Sequence, residues 1–130
     1  MENKFSPENI KKATINLIKV HAEKIETELQ NIEFTIKRLD KYEILEMRSN
    51  GVSLKFTSEV SVEPEALFTI TFEYKAVFEF NHKIDAKFVE SNINDMLQPI
   101  GNETSYIIST MTKLMNDTYI IIPPIVSISQ

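Results

Sequence analysis

Proton transfer and metal binding would fall to His21 and His82, the two histidines of this 130-residue chain, and neither has the company such chemistry needs. His21 has Lys24 three residues on and no second ligand at helical spacing, so a solvated or boundary histidine explains it. His82 has Asp85 three residues later, but two donors do not make a metal site, and a polar turn cluster accounts for the pair better. Cysteine is absent, which excludes thiol catalysis, disulfides and cysteine-based zinc sites. Gly51 and Gly101 are the only glycines, too few for a phosphate-cradling loop, a dinucleotide fingerprint or the flanks of a nucleophile elbow. Glu63 and Glu65 flank Pro64, where carboxylates solubilise a turn more readily than they catalyse. The chain therefore reads as a non-enzyme with no cofactor and no metal.

The residues so dismissed must still be carried by something. At 42% hydrophobic and 25% charged, the chain has enough apolar material for a core, and its length suits one domain, residues 1–130. The formal charge of −5 argues against binding nucleic acid or an anionic membrane surface. It is uneven: residues 51–130 hold five basic and ten acidic side chains, and residues 1–50 are balanced. The start, Met-Glu-Asn-Lys-Phe-Ser-Pro, has no apolar signal core, and no apolar run is long enough for membrane insertion, so a cytoplasmic protein is expected.

Apolar residues Ile10, Ala13, Leu17, Ile18, Ala22, Ile25 and Leu29 follow three- and four-residue steps, behind Ser6 and Pro7 as start signals. That spacing predicts an amphipathic helix over 6–30. Antiparallel strands are expected over 32–80, with Ser49-Asn50-Gly51 as a turn. The first strand region, 32–48, is either one bent strand or two short ones. The alternation is clearest at Val52, Leu54, Phe56 and Val60, and again at Phe68, Ile70, Phe72, Tyr74, Ala76, Phe78 and Phe80, which predicts one buried and one wet sheet face. Residues 84–98 are irregular or partly helical, interrupted by Pro99 and Gly101. A main helix is expected over 103–116 and an apolar extended tail, rich in isoleucine and proline, over 119–128. The fold class is α+β, an antiparallel sheet packed against helices. Most of the strand aromatics belong to its core, yet the helices are few for so long a sheet, so surplus apolar surface is expected.

Residues 65–80, Glu-Ala-Leu-Phe-Thr-Ile-Thr-Phe-Glu-Tyr-Lys-Ala-Val-Phe-Glu-Phe, followed by a loop to Leu97-Gln98-Pro99, the helical Tyr106 to Met115, and Tyr119 to Ile122 with Pro123-Pro124-Ile125-Val126, resemble the SecB-like chaperone family of bacterial protein export. The resemblance covers about residues 33–128, and Ile36 to Leu39 with Tyr42 to Leu45 is similar to the family's first strand. It implies a twisted antiparallel sheet backed by a helix, assembled as a homo-oligomer (dimer or tetramer). It also implies ATP-independent binding of unfolded or pre-secretory polypeptide in apolar, aromatic-lined grooves. Clients would be delivered to an export motor ATPase or, for a dedicated relative, be an antitoxin of a toxin–antitoxin pair. Phe56, Phe78, Phe80, Tyr106 and Tyr119 are the candidate peptide-binding residues, being aromatic and near segment ends of the matched regions. The chain departs from the family pattern in its expected N-terminal helix, in three strand regions instead of four, and in lacking the second C-terminal helix. Two other readings stay open: an oligomeric structural or adaptor protein, and a small apolar-ligand carrier.

Overall fold

The computed structural model describes residues 5–24, 35–63 and 68–116. Four strands form one antiparallel sheet: β1 (Ile10–Lys24), β2 (Thr35–Met47), β3 (Gly51–Glu63) and β4 (Phe68–Phe80), in the order β1-β4-β3-β2. Two helices follow, α1 (Ala86–Met96) and α2 (Gln98–Asn116). The chain thus has the expected α+β architecture, with an open sheet whose edges are β1 and β2. The tail over 119–128 lies outside the described residues.

The alternation in β3 and β4 sets the core. Val52, Leu54, Phe56 and Val60 share a buried face with Ile70, Phe72, Tyr74, Ala76, Phe78 and Phe80. Phe88, Val89, Ile93, Met96, Leu97, Ile100 and Ile108 from the helical layer complete it. Each fully buried aliphatic or aromatic side chain contributes about 1.5–3 kcal/mol, so this one face holds the fold together. The opposite face carries Lys55, Thr57, Glu59, Thr71, Glu73 and Lys75, with Lys55 Nζ 2.9 Å from Glu73 Oε1.

The helix expected over 6–30 is corrected over the described part, and residues 25–30 lie outside the described residues. Pro7–Asn9 make a short 3-10 turn, and Ile10–Lys24 is the fourth strand that the sequence pattern lacked. Two β-bulges hid it. The register against β4 breaks between Ile10 and Lys12 and between Leu17 and Lys19, so Lys11 and Ile18 are extra residues. The side chains of β1 paired with the core face of β4 are therefore Ile10, Ala13, Ile15, Leu17, Val20 and Ala22. A strand with period 2 and two insertions thereby mimics the three-residue steps of a helix. The β-branched content, Ile10, Thr14, Ile15, Ile18 and Val20, favours the pleated form, and backbone pairing with β4 decides it.

The remaining differences are local. The first strand region is a single strand, β2, running unbroken through Arg38-Leu39-Asp40-Lys41. Its reversal into β3 is tight, with Arg48 N–H donating to the Gly51 carbonyl at 2.8 Å. Gly51 is required for space: a Cβ there would lie 2.8 Å from the Phe78 carbonyl oxygen. Asp85 caps α1, its Oδ1 accepting from Phe88 N–H at 2.8 Å. The main helix begins at Gln98 rather than at the expected 103, because Pro99 sits in its first turn, where its missing N–H has no helical partner to lose. Leu97 joins the two helices, donating its N–H to Ile93 and accepting at its carbonyl from Ile100 and Gly101.

Candidate functional site

The apolar surface that the helices leave uncovered concentrates at the two sheet edges. On β1, Leu17, Ile18 and Val20 are exposed, Ile18 at 56%; on β2, Leu39 at 52% and Leu45 are exposed. Ile18 and Leu45 are the extra residues of bulges, the latter because the β2–β3 register breaks between Ile44 and Glu46. A bulge leaves its residue out of the ladder and turns the strand, and here it presents a large aliphatic group to solvent. Among the described residues, each edge strand has a sheet neighbour on one side only, so its other side offers main-chain hydrogen-bonding groups beside the apolar ones. Tyr106 on α2 is exposed at 73% and adds an aromatic ring to the helical side.

The β2 edge is fixed to α2 by a polar bracket on the core side. Arg38 Nε donates to both carboxylate oxygens of Asp40, at 2.9 and 3.0 Å, and Arg38 Nη2 donates to Thr104 Oγ1 at 3.1 Å. Thr104 in turn donates to the Gly101 carbonyl at 3.1 Å, and the Tyr74 hydroxyl donates to Glu103 Oε1 at 3.2 Å. Arg38 Nη1 and Ser58 Oγ are buried here with no hydrogen-bond partner among the described residues. The Tyr74 phenol is pushed far up from its ordinary value, chiefly by burial, then by the nearby Glu103 charge and hydrogen bond, against a smaller opposing effect of Arg38. Burial raises Tyr42 too, with Glu90 adding to it. An open hollow of about 540 Å³ lies against the opposite face of β2 and β3, lined by Lys37, Arg38, Leu39, Glu59 and Ser61.

Of the five residues expected to line a groove, four lie among the described residues, and three of those four are buried. Phe56, Phe78 and Phe80 are packed into the core and face no open surface. Phe56 lies 6.4 Å from Tyr74 ring to ring, and Phe78 stacks on Phe80 at 6.3 Å. Tyr106 stands exposed on α2, and Tyr119 lies outside the described residues. Leu17, Ile18, Val20, Leu39 and Leu45 were missed by sequence reasoning. For β2 a signal existed: Arg38 and Asp40 share the parity of Ile36, Tyr42 and Ile44, and Leu39 has the opposite parity.

His21 Nε2 is 3.9 Å from Glu23 and exposed, and His82 Nδ1 donates to the Lys83 carbonyl at 3.0 Å. Among the described residues, no group of three or more His, Asp or Glu is placed to hold a metal ion. No described helix is long and apolar enough to cross a membrane.

No family model matches the sequence, and no curated protein does. Solved structures do match. One is the SecB-like chaperone Rv1957 of Mycobacterium tuberculosis, solved with a ChAD peptide from the Rv1956 HigA1 antitoxin. It superposes with a TM-score of 0.67 at 10% identity, covering 94% of this chain and 92% of that one. Another is a protein of unknown function from Streptococcus agalactiae, with a TM-score of 0.53 at 9% identity, covering 85% of this chain and 96% of that one. The chain has the SecB-like fold, and β1 supplies the strand that its sequence pattern had lacked.

Proposed function

We propose that this chain is an ATP-independent chaperone that holds non-native polypeptide for a dedicated client, such as an antitoxin. The observation that carries the reading is the likeness over 94% of the chain to a SecB-like chaperone solved with an antitoxin peptide. The exposed aliphatic residues on β1 and β2 support it, because they sit beside edge backbone that an extended client segment can pair with. Main-chain hydrogen bonds of that kind do not depend on client sequence, and apolar contacts spread along an edge add affinity with little discrimination. Tyr106 is the residue of the expected aromatic set that we assign to direct client contact, and Tyr119 retains that assignment from sequence. Phe56 and Phe78 form the floor beneath the surface rather than the surface itself, and Phe80 is covered by Phe5. A cytoplasmic location and a homo-oligomeric assembly belong to the same proposal, and service in general export through a motor ATPase is its alternative.

The test is aggregation of a chemically unfolded protein, followed by light scattering in the absence of nucleotide. Suppression at stoichiometric amounts supports the reading, and no suppression at molar excess overturns it. The exposed edge residues also favour a second reading, an adaptor whose edges are consumed by self-association. A stable oligomer that neither binds an apolar dye nor slows aggregation would establish that reading instead.

A further inference from the structure

At the end of the sheet remote from the polar bracket, the chain places one of its own aromatic residues in a ready-made niche. The Phe5 ring meets Phe80 edge-on, with centroids 6.3 Å apart and planes at 83°. Phe80 also meets Phe88 edge-on at 5.4 Å, and His82 closes the side at 5.6 Å from Phe80 and 5.5 Å from Phe88. Edge-to-face rings at these separations attract by about 0.5–1.5 kcal/mol beyond the area they bury. The backbone is gripped as well: Phe5 N–H donates to Asn92 Oδ1 at 3.1 Å. Asn92 is held ready for this, its Nδ2 donating to the Phe88 carbonyl one turn back at 2.8 Å. The segment is tied down further along, where the Asn9 carbonyl accepts from Asn81 N–H at 2.8 Å.

This arrangement reads two features of a bound chain, an aromatic ring and the N–H of the same residue. Neither depends on the neighbouring sequence. We propose that Phe80, Phe88 and Asn92 form an aromatic-anchor subsite for extended polypeptide, filled at rest by Phe5 and opened when a Phe, Tyr or Trp of a client displaces it. The assignment rests on the client-binding reading above. A tethered occupant competes at an effective concentration in the millimolar range, so an isolated weak peptide is shut out. A long client that also engages the strand edges overcomes that competition through its other contacts.

The experiment uses the full chain with Phe5→Ala and a dye-labelled synthetic peptide of residues 1–9, read by fluorescence anisotropy. The peptide is expected to bind the variant roughly tenfold more tightly than the unmutated chain. Replacing Phe by Ala in the peptide, or adding Asn92→Ala to the variant, should reduce that binding severalfold. A permanently unfolded probe, reduced and alkylated α-lactalbumin, should displace the peptide, and in the unmutated chain it should speed amide exchange at Phe5. Equal peptide binding to variant and unmutated chain overturns the subsite. So does peptide binding that the unfolded probe leaves undisturbed while the unmutated chain still suppresses aggregation, since the niche would then be a latch alone. Loss of aggregation suppression itself would instead strike the chaperone reading. The exchange measurement needs no variant to fold.

Discussion

Arg38 and Asp40 form an ion pair along one strand rather than between elements: both side chains lie on the core side of β2, and the guanidinium Nε touches both carboxylate oxygens at 2.9 and 3.0 Å. Their side chains are 14% and 2% exposed, so neither charge is well hydrated. The pair positions an edge strand, because the same guanidinium reaches Thr104 on α2. Without this bracket, the outer strand would have only its pairing with β3 and a few partly buried side chains to hold it.

Removing one partner leaves the other charge buried and unmatched. Asp40→Asn is therefore expected to lower stability by about 3 kcal/mol, measured by urea unfolding. The double variant Arg38→Met with Asp40→Leu replaces both charges by apolar groups and is expected to fall within about 1 kcal/mol of the original chain. Equal loss in the single and double variants would show that the pair contributes packing rather than charge compensation.

Tyr74 gives the fold an alkaline limit. Its phenol is held neutral in the folded chain by burial and by Glu103, and it ionises near 10 once unfolded. Its contribution is thus fully present below pH 10 and lost as the pH rises further, because only the unfolded state then releases the proton. The expected slope is a loss of up to about 1.4 kcal/mol per pH unit above pH 10. Tyr74→Phe removes that slope while giving up the hydrogen bond to Glu103, about 1 kcal/mol at neutral pH. Urea unfolding at several pH values between 9 and roughly 11 checks both effects.

How much of this was legible beforehand follows from where the regular period survives. In β3 and β4 the alternation from Val52 to Val60, with only Ser58 polar on the inner parity, and from Ile70 to Phe80 keeps its register, and the buried face can be read directly from it. In β1 the bulges at Lys11 and Ile18 shift the inward positions, and the sum of two insertions is indistinguishable from a helical stripe. The site was less legible than the fold. Aromatic residues were favoured as binding residues, yet a large ring on a strand flanked by two others is covered first, as Phe56 and Phe78 are. What remains outside is decided by strand order: β1 and β2 are edges, and no local pattern in either reveals that. The Phe5 niche depends on contacts with residues more than seventy positions away, which no local pattern specifies.

Gly51 tests the tight reversal between β2 and β3. An added Cβ would meet the backbone oxygen of Phe78 on the neighbouring strand at 2.8 Å, and that oxygen cannot rotate away as a side chain would. Gly51→Ala is expected to cost about 1–3 kcal/mol through displacement of β3 against β4. The loss should appear as a lower melting temperature with the sheet signal in circular dichroism retained at 25 °C. An unchanged melting temperature would mean that the hairpin shifts freely, contrary to its pairing on both sides.

The exposed bulge residues separate client binding from stability. Ile18 and Leu45 lie outside the ladder and out of the core, so changing either to lysine removes little burial and should alter stability by no more than about 0.5 kcal/mol. If extended clients lie along the edges, however, each loses an apolar contact and meets a charge that must be desolvated. The double variant Ile18→Lys with Leu45→Lys is then expected to need severalfold more protein to suppress aggregation of an unfolded client, at an unchanged melting temperature. Lys19→Gln, exposed beside Ile18 but apolar at neither edge, serves as the control and should behave as the original chain does. A double variant as effective as the original would place the client away from both edges, and Tyr106, whose ring is exposed on α2, would become the residue to change next.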